Sequence, residues 1–389
     1  MQSVFARLFH RRTLRRREVF ASQFDGGRNA IASSAFIHLG CDVLEQRIVL
    51  ASPESDFVFS KGVIKGYKGA GGVVDIPSTI NGAPVVAIGV RAFSGSNNQA
   101  TDLITSITIP DSVKSIGNSA FENTYGNPGG LTSLTIGNGV KTIGKAAFAQ
   151  ANGLATVTLG TGVKTIGSAA FLGAENLTSL TIPDSVTSIA PLAFAGASNL
   201  LSLTIGSGLK TISSSTFAGA SSLISLTIPD GIKSIGAYAF NSAQSLTSLT
   251  IGSGVKTIGN EAFFGVSSLP SLTIPGSVKT IGSDAFYEAS SLTTLTIGSG
   301  VKTIGAEAFG GATSLTSVTI PSSVKRIEKN AFHGASILMS VAFTGAAPYV
   351  GADAFAEVAP GAKAFRPAGL KGYGPDGSNF HGLIVATLT

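Results

Sequence analysis

The sequence predicts a solenoid, with parallel β-strands stacked in one curved array and short helices or turns on the other face. Three observations carry this expectation. Phe148, Phe171, Phe194, Phe217, Phe240, Phe263, Phe286, Phe309, Phe332 and Phe355 stand 23 residues apart without a slip, and Phe93 and Phe121 precede them at spacings of 28 and 27. A fixed period of this length marks supersecondary units that bury their apolar faces only by stacking. Between the phenylalanines, short stretches alternate apolar and hydroxyl side chains in the strand period. The composition agrees: 43% of the 389 residues are hydrophobic, 12% are charged and 49 are Gly. That is too apolar for disorder. No run of about 18 apolar residues is present either, so no transmembrane helix is expected. One Cys and no Trp exclude a disulfide-stapled scaffold and a cysteine-rich metal centre.

Residues 1–52 lie outside the repeat and form a basic N-terminal arm. They hold eight Arg against four acids, so they supply +4 of the net +6. The remaining 337 residues carry 19 basic and 17 acidic side chains, a balance of only +2. The basic character therefore belongs to the arm, and no nucleic-acid partner is expected from it. Arg11-Arg12 and Arg15-Arg16-Arg17 precede a short apolar stretch from Ala30 to Cys41, an order that suits an export segment. A disordered, uncleaved basic arm is the alternative. Leu39-Gly40-Cys41 falls short of a lipidation box, because His38 stands where an apolar residue is expected.

Residues 53–389 form the solenoid. In one copy, Ser179-Leu180-Thr181-Ile182 reads as a strand with Leu180 and Ile182 inward and the hydroxyls outward. Pro183 ends it, since proline cannot continue a ladder. Val186 and Ile189 bring a second, less regular segment back onto the core. Ala193-Phe194 opens a short turn or helix whose ring plugs the interior, and Gly196 closes it. Proline recurs after the strand at Pro183, Pro229, Pro275 and Pro321, with Gly206, Gly252 and Gly298 at the same place between them. The duplicated unit is therefore a pair of turns.

The pattern L-x-x-L-x-I-P-x-x-V-x-x-I-G-x-x-A-F resembles the BspA-like leucine-rich repeat family over roughly residues 57–389. The resemblance implies a leucine-rich repeat solenoid. It places an N-terminal cap at 57–92 (Gly66-Tyr67, Ile76-Pro77, Ile88-Gly89), repeats at 93–355 and a C-terminal cap at 356–389 (Phe365, Gly372-Tyr373, His381). One departure is clear: Ala174, Ala197, Ala220 and Ala243 stand where that family often has Cys or Asn, so a side-chain ladder is not expected there. The family implies a bacterial cell-surface or secreted, non-enzymatic protein of the adhesion and ligand-binding type, with a protein or polysaccharide ligand and no cofactor. Leu44 to Ser52 also resembles the LEPR-xLL export segment, with Gln46 in place of its Pro.

Several motifs fail as chemistry. Gly139-Val-Lys-Thr-Ile-Gly144-Lys145 matches most of a phosphate-binding loop but continues with Ala146, where a magnesium-binding hydroxyl is needed. The same frame recurs at Gly162–Gly167 and Gly254–Gly259, as repeat grammar. His10, His38, His333 and His381 have no metal-ligand spacing. No serine is paired with a base in a way that breaks the repeat, so no catalytic site is expected.

Two columns and two loops carry the recognition hypotheses. Thr135, Thr158, Thr181, Thr204, Thr227, Thr250, Thr273, Thr296 and Thr319, preceded by Thr108, should form an outward hydroxyl stripe, each with a Ser or Thr two residues earlier. That stripe suits a periodic ligand such as a glycan, a mineral or ice; strand propensity and recent duplication are the plain explanation. Lys141, Lys164, Lys210, Lys233, Lys256, Lys279, Lys302 and Lys325, preceded by Lys114, form a basic column interrupted at Thr187. It suits anionic surface polymers, or simply keeps sheet from aggregating. Insertions after Phe93 (Asn97, Asn98, Asp102) and Phe121 (Asn123, Tyr125, Asn127) should project side by side as candidate recognition loops. The expected function is multivalent adhesion through such a face. A structural spacer or surface-layer component and a lattice-binding protein are the alternatives.

Overall fold

The computed structural model describes residues 52–94, 103–122 and 130–388. These fall in one unit, Leu50–Thr389. The arm and the two insertions, with Asn97, Asn98, Asp102, Asn123, Tyr125 and Asn127, lie outside the described residues.

Most turns of the solenoid start with a four-residue strand such as Ser179–Ile182, whose burial alternates exposed and buried as the sequence pattern requires. Leu180 and Ile182 are 2% and 1% exposed. The chain then bends at a corner, runs through a two-residue strand such as Ser188–Ile189, and returns through the phenylalanine turn. The second segment, expected to be irregular, is a regular parallel ladder. Thr142↔Thr165 and Ile143↔Ile166 pair in register, and the same pairing continues through most of the stack. Two residues per strand are too few to show a period in sequence.

The phenylalanine segments are turns rather than helices. The only helix among the described residues is a single 3₁₀ turn, Glu54–Asp56. Backbone bonds nevertheless run through the phenylalanine turns as a third ladder: the Phe171 N–H donates to Ala193 O at 2.7 Å, and the Phe240 N–H to Ala262 O at 2.8 Å. This ladder donates toward the following turn, while the strand ladders donate toward the preceding one. Two residues before each phenylalanine the chain is left-handed, at Ala146, Ala169, Leu192, Tyr238 and Glu261 among others, with φ from 53° to 65°.

The core is one continuous column. Phe93 to Phe355 are all at most 1% exposed. From Phe121 to Phe355 consecutive rings stack with centroids 4.8–5.6 Å apart and planes within 15°. This spacing is set by the inter-strand distance of about 4.8 Å, which the backbone ladders impose. At the start, Phe57–Ser60 and Val63–Tyr67 pair as an antiparallel hairpin, and Tyr67 stacks on Phe93 at 5.4 Å. At the end, Asn379–Phe380 and Leu383–Thr387 form another, with Phe343, Tyr373 and Phe380 packed edge-on and tilted below Phe355. Ala174, Ala197, Ala220 and Ala243 are fully buried and fill their column without a polar atom.

The alternation of Pro and Gly at the corner has a structural consequence. From a proline turn to the next turn the long strands pair over four residues, as in Ser179–Ile182 with Ser202–Ile205, Ser225–Ile228 with Ser248–Ile251, and Ser271–Ile274 with Thr294–Ile297. From a glycine turn to the next proline turn, pairing falls to one residue, Ser202↔Ser225 or Leu295↔Val318, or stops altogether between Thr156–Thr158 and Ser179–Ile182 and between Ser248–Ile251 and Ser271–Ile274. The cause is a missing donor. The Gly137 and Gly298 N–H groups donate to Ile109 O and Ile274 O at 2.9 Å, and a proline at that corner cannot.

A side-chain clamp reinforces two of these three strong junctions, while Gly276 stands at the same place in the third. Asp184 Oδ1 accepts from the Ser207 N–H at 2.7 Å and its hydroxyl at 3.0 Å, and Asp230 Oδ1 accepts likewise from Ser253 at 2.6 and 2.9 Å. The core registers the difference. Leu203 and Ile205, Leu249 and Ile251, and Leu295 and Ile297, which face weak junctions, are 6–9% exposed; their counterparts in proline turns are 0–3% exposed. The stack is built from two-turn units.

Candidate binding faces

The long-strand face presents three side-chain columns: the residue before each strand, its first residue and its third. From Thr132 to Thr319 none of these positions is charged. Thr135, Thr158, Thr181, Thr204, Thr227, Thr250, Thr273, Thr296 and Thr319 are all exposed, as is Thr108. Register pairing aligns them directly, as in Thr181↔Thr204, Thr227↔Thr250 and Thr273↔Thr296. The neighbouring column is committed inside the fold, since the Thr132, Thr247 and Thr293 hydroxyls donate to the carbonyls of Thr105, Ile224 and Pro270 at 3.0, 3.2 and 2.9 Å. The central threonine hydroxyls make no hydrogen bond within the described protein, and their capacity is left for solvent or ligand.

Two irregularities break this face. Leu201 and Ile224, on adjacent turns, are 49% and 50% exposed beside the hydroxyls. Where Thr156–Thr158 and Ser179–Ile182 fail to pair, a cleft of ≈ 790 Å³ opens, lined by Thr158, Leu159, Thr181, Ile182, Asp184 and Ile205. The Ser207 backbone N–H, followed by its hydroxyl, holds the Asp184 carboxyl below its ordinary range. Sequence periodicity alone does not reveal the cleft, which arises from a Gly160 corner meeting a Pro183 corner.

The lysine column lies at the entrance to the short strands. All of Lys114, Lys141, Lys164, Lys210, Lys233, Lys256, Lys279, Lys302 and Lys325 are exposed. Their backbones bond in series on either side of one gap: the Lys141 N–H donates to Lys114 O, Lys164 to Lys141 and Thr187 to Lys164, and the series resumes with Lys233 donating to Lys210. The short-strand sheet divides at the same place, between Ser188–Ile189 and Thr211–Ile212. Among the described residues the ion pairs are Arg326–Glu328, His333–Glu357 and Arg366–Asp376, none of which involves this column.

A feature not singled out from sequence is an acidic column, Glu261, Asp284 and Glu307, at the left-handed position of successive turns. Burial, and then the negative charges of Glu307 and Glu261, push the Asp284 carboxyl up to about 6. No group of three or more His, Cys, Asp or Glu among the described residues could hold a metal ion. The Gly139–Gly144 frame is structural: Val140 is fully buried, and a side chain on Gly139 would collide with the Asp111 backbone. His333 is half exposed, with Nε2 3.7 Å from Glu357 Oε1. No helix of the described residues is long and apolar enough to cross a membrane.

The chain matches the family described as BspA type Leucine rich repeat region (6 copies) over residues 75–128, 86–220, 123–247 and 233–359. Among solved structures it is similar to a leucine-rich repeat protein from Bacteroides ovatus, at 26% identity over 86% of this chain and 98% of that one, with a TM-score of 0.47. A leucine rich cell surface protein from Faecalibacterium prausnitzii is also 26% identical, over 76% and 89% of the two chains, with a TM-score of 0.48. The pneumococcal vaccine antigen PcpA is 19% identical over 84% and 86%, with a TM-score of 0.45. No curated protein matches the sequence.

Proposed function

Because the chain belongs to the BspA type leucine-rich repeat family, we propose that it is a non-enzymatic binding or adhesion protein, exported to the bacterial surface or secreted. Its long-strand face is presented to a glycan or matrix ligand. The observation that carries this reading is the column of exposed threonine hydroxyls with no partner among the described residues, in register within each pair of turns along an uncharged face. One hydroxyl contributes little against water, because binding exchanges one hydrogen bond for another. Many equivalent contacts along one chain sum through effective concentration, so a polymeric ligand gains what a monomer does not. The alternation of strong and weak junctions favours a pliable polymer over ice or a mineral face, since a crystal lattice demands even spacing and the strands here stand in pairs.

Replacing Thr181, Thr204, Thr227 and Thr250 by Val keeps the branched shape of each strand residue and removes only the hydroxyls. A glycan and matrix-protein array probed with the parent and this variant tests the reading. The expected outcome is a parent that binds long polymers and a variant at least ten-fold weaker at unchanged thermal stability. Equal binding by the two would overturn the assignment of the face, and no binding at micromolar concentration would favour a spacer.

A further inference from the structure

We propose that the six lysines from Lys210 to Lys325 form a docking line for a single extended chain of acidic polysaccharide, on a face separate from the threonine column. These lysines accompany one uninterrupted seven-stranded sheet, which runs from Thr211–Ile212 to Tyr349–Val350. Their backbones are bonded in series at 2.7 to 2.9 Å from Lys210 through Lys325, so neighbouring attachment points are about 4.8 Å apart. Two unit charges in water interact with about thermal energy at roughly 7 Å. A row with a closer spacing than this collects counter-anions, and a polyanion that replaces them gains their release.

None of the row's members belongs to an ion pair among the described residues. Asp230, three residues before Lys233, is bound by Ser253. The bonds from Ser253, and then the Lys233 charge, hold the Asp230 carboxyl below its ordinary range, so one carboxylate among the described residues bears on the row. The column of Glu261, Asp284 and Glu307 lies five residues further along each turn, and the cation that bears on Asp284 is Lys329. Edge protection does not account for the row. Five of the six lysines precede interior strands of the seven-stranded sheet, and only Lys210 precedes an edge strand, Thr211–Ile212.

The surroundings select among polyanions. Beside the lysines runs a second hydroxyl column, with Thr211, Thr257 and Thr280 exposed, that suits a hydroxyl-rich partner. No aromatic platform accompanies the row before Tyr349, whose ring is covered by Arg326 at 4.5 Å, so bases would find nothing to stack on. Single-file charge also fits one strand better than a duplex.

The test compares the full chain with a variant carrying Lys256→Gln, Lys279→Gln, Lys302→Gln and Lys325→Gln, both checked by circular dichroism. The probes are heparin for sulfate, polygalacturonate for carboxylate, neutral dextran and an oligo-dT strand, each at 0.05–0.5 M salt. Both proteins carry the same N-terminal arm, so any difference between them belongs to the row. With about 0.7 counterions released per contact, four lysines should steepen the log–log salt slope by about 3 and tighten binding at 0.1 M salt roughly 10²–10³-fold. Loss of that increment on heparin, polygalacturonate or both supports the proposal and identifies the anionic group. Equal affinity of parent and variant, absence of parent binding to both acidic polysaccharides, or equally tight binding of oligo-dT would each overturn it.

Discussion

Gly298→Ala should destabilise the protein, and its size can be worked out from the corner geometry. A Cβ on Gly298 would lie 2.6 Å from Ile274 O and from Pro275 C, with the Gly276 nitrogen nearer still. Ordinary carbon contact begins near 3.5 Å, so the corner must lift by about 0.9 Å. All three obstacles are backbone atoms, and no rotamer change relieves them. Overpacking of this kind costs about 1–3 kcal/mol. Lifting also breaks the 2.9 Å bond from the Gly298 N–H to Ile274 O, at about 1 kcal/mol. The stiffer unfolded chain of an alanine variant returns about 0.5–1 kcal/mol. The net loss is about 1–3.5 kcal/mol, measured as a lower urea midpoint with faster amide exchange along Thr294–Ile297. Gly276→Ala is the matched control, because its nearest atom is Ser299 Oγ at 3.8 Å. Equal midpoints for the two variants would refute the idea that close corner seating creates the strong junctions.

Two further outcomes follow from the core and from the acidic column. Phe240 stacks at 5.4 Å on both neighbours, so Phe240→Ala should cost about 3–5 kcal/mol and Phe240→Leu much less. Because each turn contacts only its neighbours, the alanine variant should divide urea unfolding into two steps where the parent shows fewer. Asp284, pushed up to about 6 from an ordinary 3.8, holds its proton more tightly when folded. Its contribution to stability should therefore be fully present below about pH 4 and decline as pH rises through 6. A fully desolvated group would lose about 3 kcal/mol over two pH units; half-burial and screening reduce this to about 1 kcal/mol. Asp284→Asn should flatten that decline in urea midpoints measured between pH 4 and pH 7.

The period, the strand and the inward phenylalanine were legible because each rests on residues close together in sequence. Ser179-Leu180-Thr181-Ile182 has one arrangement that hides its apolar atoms, and 23-residue spacing leaves one way to stack it. The short-strand ladder was not legible, since Thr142-Ile143 is too brief to display alternation. The left-handed residues were hidden for another reason: Ala146, Leu192 and Tyr238 do not prefer that conformation, and only neighbouring turns hold them there. The threonine and lysine columns are exposed rows. Which hydroxyls remained free depended on carbonyls 23 residues away, as with Thr247 and Ile224.

The Pro and Gly alternation was visible as a trace of duplication, but its mechanical meaning lies in pairs of turns. Proline withholds one donor from the turn below, and glycine admits the close approach above it. This would cut the solenoid into separate pieces if every ladder failed together. They do not. The long strands lose pairing between the Phe171 and Phe194 turns and again between the Phe263 and Phe286 turns. The short strands lose it between the Phe194 and Phe217 turns. Across all three places the phenylalanine turns stay bonded, with the Phe171, Phe194 and Phe263 N–H groups donating to Ala193, Thr216 and Ala285 at 2.7–2.9 Å. Staggered breaks leave the ring column intact and divide the long-strand and short-strand faces at different turns, so no single junction loses all three ladders.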